Sequence, residues 1–300
     1  MFEVNRVNKS GFDCVEITDT DGQVYAIINL DLGGSLQELT ICGTEVITGK
    51  NVGSYAKSYA SSILFPFVNR IANGRYDFEQ KTYQLHCNNV ADGHALHGLV
   101  FDRTFGLDHI SQNENSCTVS LFYAETENRM GFPFRYELQV KYSIKKRSVE
   151  VMVEVKNTDK YVFPFALGWH PYFASNNLNE SYLKMECQRK IITNSHSIPE
   201  REETVVLDKN LKINQTEFDD CFVLDTNTLW FSTPDYKIKM TSSMGEMFVQ
   251  LYTPQGRKAI AIEPQTGPAN CFNMPNKHKV LRPNETFEIK WSVDVFLENT

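Results

Sequence analysis

The chain has 300 residues, 41% of them hydrophobic, and a formal net charge of -7. That composition supports a sizeable core, and the acidic balance argues against a nucleic-acid surface, which needs clustered Lys and Arg. Seven cysteines without a Cys-x-x-Cys pair argue against a disulfide framework or a thiolate zinc site.

The N-terminal stretch MFEVNRVNKSGFDCVEITDT has no apolar h-region, and no apolar run approaches the length of a membrane span. The expectation is a cytoplasmic protein, a monomer or weak homodimer, with neither a nucleic-acid nor a membrane partner. The Asn-x-Ser/Thr triplets at Asn8, Asn179, Asn214 and Asn284 are then chance matches.

Strand patterns run through the chain. SCTVSLFYA alternates, and FRYELQVKYSIKKRSVEVMVEVKN does so at length. Tyr136, Leu138, Val140, Tyr142 and Ile144 alternate with Glu137, Gln139, Lys141 and Ser143. After the polar KKRS turn, Val149, Val151, Val153 and Val155 continue the apolar face. A period of two means one buried and one wet face, here in a long antiparallel hairpin. KIKMTSS and FEIKWSVDVF repeat it. No segment holds a 3.6-residue period over three turns, and no Pro/Ser/Gly-rich linker divides residues 1–300. The reading is a single all-β domain, a large antiparallel sandwich or barrel with few short helices.

The candidate polar residues interrupt apolar or turn-like surroundings. In FPFVNRIANGRYDF, Arg70 leaves an apolar run just before an Asn-Gly turn. Its rigid fork of donors suits sugar hydroxyls or a carboxylate, though alone it fits a structural ion pair better. In HALHGLVFDRTF, His97 precedes Gly98, which permits close approach of a backbone or ligand. A metal on His94 and His97 is disfavoured, because no carboxylate or cysteine joins them at ligand spacing and the segment does not read as a helix. His94 is expected in a loop, and in isolation His97 fits a structural histidine.

GWHPYFAS sets His170 among Trp169, Tyr172 and Phe173, which suits either a packed core or an aromatic pocket with one titratable tool. FDDCFVL pairs Asp219 with Asp220, an arrangement common at solvated turns. In KAIAIEPQTGPANCF the strand AIAIE ends in Glu263. Ile260 and Ile262 share one face, so Glu263 lies with the small Ala259 and Ala261 on the other, with space beside its carboxylate. No dinucleotide Gly fingerprint, P-loop or Gly-x-Ser-x-Gly elbow occurs. An acid/base set with hydrogen-bonding clamps remains, and neither metal nor organic cofactor is expected.

In order along the chain, LGGSLQELTICGTEVI, FPFVNRIANGRYDFEQKTYQL, LHGLVFDRTF, GWHPYF, DDCF, IEPQTGPANCF and VLRPNETFEI resemble the aldose 1-epimerase (galactose mutarotase) family. The resemblance implies a β-supersandwich over a sugar-binding cleft, and a small-molecule aldose as partner. It implies His170 as general acid and Glu263 as general base. Arg70, His97 and Asp219 become sugar-binding groups, and Trp169 and Tyr172 candidate aromatic walls. The chain departs from the family at Gln80 and Asn284, where Gly is frequent, and at Phe105, where many members carry Trp.

These roles imply anomer interconversion of a free aldohexose by acid/base ring opening, with Glu263 helping to hold His170 protonated. The alternatives are a hexose-6-phosphate 1-epimerase, for which Arg75 and Arg103 are the nearest spare cations, and a non-catalytic sugar-binding or sensing module. A polysaccharide lyase or hydrolase domain would be expected to bring secretion signals and extra domains.

Overall fold

A computed structural model describes residues 1–245 and 247–297. Its frame is one continuous antiparallel sheet. Outward from the predicted hairpin, Tyr136–Lys145 pairs with Ser148–Asn157 and Ser116–Glu125, and Ser116–Glu125 with Gly106–Gln112. Ser148–Asn157 then pairs with Thr286–Leu297, which pairs with Tyr236–Ser242. The long strand Asp219–Ser232 changes partner halfway: residues 228–232 pair with Tyr236–Ser242, and residues 219–224 with Met247–Tyr252. Met247–Tyr252 leads to Ala259–Gln265, then to Tyr172–Ala174 and Thr44–Thr48. The N-terminal strands Ser35–Ile41, Val24–Asn29, Phe12–Asp19 and Phe2–Lys9 complete the run.

The period-two apolar faces become the core. Residues 136, 138, 140, 142 and 144 are buried, as are 149, 151, 153 and 155. One contiguous apolar cluster extends from Phe2 to Val295. The buried Tyr142 hydroxyl donates to Gly34 O at 2.8 Å, tying the central hairpin to the turn before Ser35–Ile41. Helix among the described residues is limited to the α-helix Tyr55–Ser58 and short 3-10 turns, and no described helix is long and apolar enough to cross a membrane.

The sequence departures have local explanations. Gln80 and Glu79 form the two-residue tip of the hairpin Arg75–Phe78/Lys81–Gln84, with φ of 61° and 47°. Gly meets such angles at least cost. Asn284 sits at φ 63°, a left-handed position that Asn tolerates. Phe105 is buried beside Gly34 and Tyr123 in the core.

Candidate active site

Register in the sheet assembles the site. Gln250 lies opposite Glu263, Tyr252 opposite Ala261, and Asp219 opposite Tyr252. On the other edge Tyr172 lies opposite Ala261 and Gly168 opposite Gln265. Directly opposed residues share a face, as do residues two apart along a strand. Asp219, Gln250, Tyr252, Glu263, Gln265 and Tyr172 therefore project to one side. Ala261 and Ala259 pack with Tyr172, Val52 and Ala60, so the small-residue face read beside Glu263 exists.

Loops deliver the rest. Ser61 N donates to His170 O at 2.8 Å and His170 N to Ser62 O at 3.1 Å, fastening the histidine to the segment after the short helix. Arg70–Ile71 pairs with Ala95–Leu96, and Asn270 clamps its other side: Asn270 N donates to Arg70 O at 2.5 Å, and Ala72 N to Asn270 Oδ1 at 3.1 Å. His97 is held at φ 61°, its amide donating to Asn69 O at 2.8 Å. A side chain on Gly98 would place its Cβ 2.3 Å from Phe65 O, so this glycine admits a backbone rather than a ligand.

The result is a pocket of about 150 Å³ lined by Arg70, His97, His170, Tyr172, Asp219 and Glu263, together with Lys57, Tyr59, Asn69, Leu96, Gln250 and Tyr252. Six of the seven residues singled out in the sequence converge there. Trp169 does not. It is completely buried in the core cluster, opposite Ile63. Neighbours along an extended segment point to opposite faces, so His170 and Tyr172 face the pocket while Trp169 and Phe173 face the core. The aromatic wall consists of Tyr59, Tyr172 and Tyr252.

His94 lies in the loop just before Ala95–Leu96 and is buried there: its Nδ1 accepts the Asn73 amide at 3.1 Å, whereas His97 packs edge-on to His170. The two histidines serve different partners. Asp219 and Asp220 open a strand instead of a turn and point oppositely, Asp220 pairing with Lys190 at 2.7 Å.

At the pocket floor His170 Nε2 and Glu263 Oε1 lie 3.3 Å apart, with side-chain exposures of 5% and 2%. Tyr172 stacks on the His170 ring at 5.1 Å. Gln265 Nε2 donates to Glu263 Oε2 at 3.0 Å, Gln250 Nε2 to Asp219 Oδ1 at 2.8 Å, and Arg70 Nη1 to Asn69 Oδ1 at 2.9 Å. Burial pushes His170 down to about 4 and Glu263 well above the usual carboxylate range, the latter helped by the Asp219 charge. His97 is also lowered, by burial first and then by the positive charges of His170 and Arg70.

Burial therefore works against the charged form of each group. A single proton shared by the pair can sit on the carboxyl, leaving both neutral, or on the imidazole, making an ion pair, and the total charge is zero either way. Burial thus opposes the expected help that Glu263 gives in holding His170 protonated. Arg70 Nε, His97 Nδ1 and His170 Nδ1 are buried without a protein partner. Buried polar atoms are ordinarily satisfied, so these atoms leave unused hydrogen-bonding capacity among the pocket residues.

A family model described as Aldose 1-epimerase matches residues 13–294. The chain belongs to the aldose 1-epimerase family. Its relatives include an uncharacterized Escherichia coli K12 protein, YihR, 27% identical over 282 residues, which cover 87% of this chain and 90% of YihR. The bifunctional protein gal10 of Schizosaccharomyces pombe is 25% identical over 351 residues, a match taking in 99% of this chain but 49% of gal10, so the chain spans about half that relative's length. Among solved structures, a galactose mutarotase-like protein from Clostridium acetobutylicum superposes with a TM-score of 0.83 at 16% identity, covering 100% of this chain and 99% of the other. Galactose 1-epimerase from Lactobacillus acidophilus NCFM gives 0.82 at 16%, covering 99% of each chain. The fold is thus the galactose mutarotase-like supersandwich expected for the family.

The pocket residues beyond the sequence-derived set differ in how visible they were. Gln250 and Tyr252 carry a signal, since in MFVQLY a Gln interrupts an apolar strand and Tyr shares its parity. Lys57 and Tyr59 sit in a four-residue helix and its left-handed exit, at φ 50° for Tyr59, where no periodicity points to them.

Proposed function

We propose that the protein interconverts the α and β anomers of a free aldohexose. The observation that carries this is the His170–Glu263 contact of 3.3 Å between two buried side chains. Ring opening of a hemiacetal removes a proton from O1 and adds one to O5, and both oxygens are bonded to C1. The acid and the base must therefore stand side by side, as these two do. With the shared proton on His170, the Glu263 carboxylate takes the O1 proton, the C1–O5 bond breaks as C1=O1 forms, and His170 Nε2 gives its proton to O5. Rotation about C1–C2 presents the other face of the aldehyde, and O5 attacks again with both transfers reversed. Each positioned transfer is worth roughly 10²–10⁴-fold. Arg70, His97 and Asp219 hold ring hydroxyls while C1 moves, and the tyrosine faces suit the C–H face of a pyranose. Anomer exchange measured by magnetisation-transfer NMR on glucose, galactose, xylose and arabinose tests the reading. Exchange at the buffer rate for all four would count against it.

A sugar-phosphate epimerase is favoured by one observation: Lys57 lines the pocket. Arg75 and Arg103 do not, and Arg103 is engaged with Leu99 O and Asp102. Glucose 6-phosphate in the same NMR series separates the two substrates. A non-catalytic sugar sensor has no need of a desolvated acid/base pair.

A further inference from the structure

We propose that Gln265 is a positioning residue for the acid/base pair: its amide holds one oxygen of Glu263 and thereby fixes the other on His170. This rests on the epimerase reading of the same pocket. Gln265 Nε2 donates to Glu263 Oε2 at 3.0 Å, while Oε1 of the same carboxyl faces His170 Nε2 at 3.3 Å. A carboxyl engaged at both oxygens in different directions cannot rotate. The buried Gln265 Oε1 has no partner, so the amide lies where the carboxyl wants its N–H, at the expense of its own carbonyl.

The fold leaves a lane for this side chain. Gln265 is buried and pairs with Gly168 on one side and Phe248 on the other. A Cβ on Gly168 would lie 3.2 Å from Gln265 Cγ and 2.9 Å from Val68 Cγ1. The glycine of GWHPYF therefore makes room for the residue that orients the carboxyl, two positions before the histidine that the carboxyl meets. The N–H bond favours the ionised carboxyl, the form that must accept the O1 proton.

Two variants test the assignment. Gln265→Met keeps length and packing but removes the donor, and Gln265→Glu keeps size but replaces the donor with a second carboxyl. In the sugar-free protein, ionisation of Glu263 is followed by its infrared carbonyl band, as a difference against the Glu263→Gln background. The expected result for Gln265→Met is an upward shift of about one to two pH units, the worth of a hydrogen bond to a charged group. The alkaline limb of kcat/KM for glucose anomer exchange moves by the same amount, and kcat near pH 7 falls about tenfold or more with KM little changed. Gln265→Glu moves the limb further, because two carboxyls then compete for one site. If both folded variants only lower Tm and leave the ionisation and the limb in place, the residue is a filler and the proposal is overturned. If Gln265→Met does not fold, an unmoved ionisation in Gln265→Glu overturns it alone. If the wild-type protein exchanges no anomers, the epimerase reading falls, while the infrared titration still decides what Gln265 does to Glu263.

Discussion

His170 Nε2 and Glu263 Oε1 meet at 3.3 Å with both side chains closed off from solvent. Burial disfavours charge on each, lowering His170 to about 4 and raising Glu263 well above the usual carboxylate range. Unfolded, His and Glu titrate at about 6.5 and about 4.3. The lowered His170 adds stability as pH rises towards about 6.5, and the raised Glu263 removes it as pH rises from about 4.3 through its folded value. Above about 6.5 only the Glu263 effect remains, so stability falls with rising pH, by up to about 1.4 kcal/mol per pH unit, until the folded carboxyl ionises.

Glu263→Gln removes that alkaline slope. The variant is expected to gain on the wild type as pH rises above about 6.5, seen as a growing positive difference in Tm. A strand-end carboxylate in a stabilising ion pair would give the opposite, a variant less stable at every pH above 6.

Arg70→Ala removes the proposed sugar clamp; a group that acts on substrate and transition state alike gives a loss expected largely in KM, with kcat reduced less. Steady-state kinetics on the sugar with the fastest exchange checks this. A loss confined to kcat would place Arg70 in the chemistry instead.

Trp169→Phe is expected to lower stability by about 1–3 kcal/mol through lost core packing, with kcat of the folded protein within a few-fold of wild type. Urea melts beside kinetics make the comparison. A folded variant with a large KM change would return Trp169 to the pocket wall.

Gly98→Ala forces a Cβ to within 2.3 Å of Phe65 O at a φ of 78°. The loss is expected to exceed about 3 kcal/mol, beyond the ordinary range for a single substitution. A soluble variant with wild-type Tm would contradict the described packing of the His97 turn.

The strands were legible because water lies on one face of many of them, so period two appears in the letters. The site residues were legible as polar interruptions: Arg70, His97, His170, Asp219 and Glu263 each break an apolar or turn context. Trp169 departs from the expected wall because adjacent residues in an extended segment point apart, so the side that holds His170 and Tyr172 cannot also hold Trp169. The proton state was not legible, since it depends on how completely two residues 93 positions apart exclude water once register brings them together. Lys57 and Tyr59 were silent because their place comes from tertiary hydrogen bonds, including Tyr172 Oη to Ser58 O at 3.1 Å.

In the proposed reaction the His170–Glu263 pair performs both proton transfers of anomer exchange. Polarimetry on freshly dissolved α-glucose and α-galactose tests it most directly, comparing wild type, Glu263→Gln, His170→Asn and the double variant. The expected result is rapid loss of optical rotation excess with the wild type and a kcat roughly 10²–10⁴-fold lower in each single variant. The double variant should show little further loss, because both transfers belong to one step. A folded Glu263→Gln protein that mutarotates either sugar at the wild-type rate would contradict it.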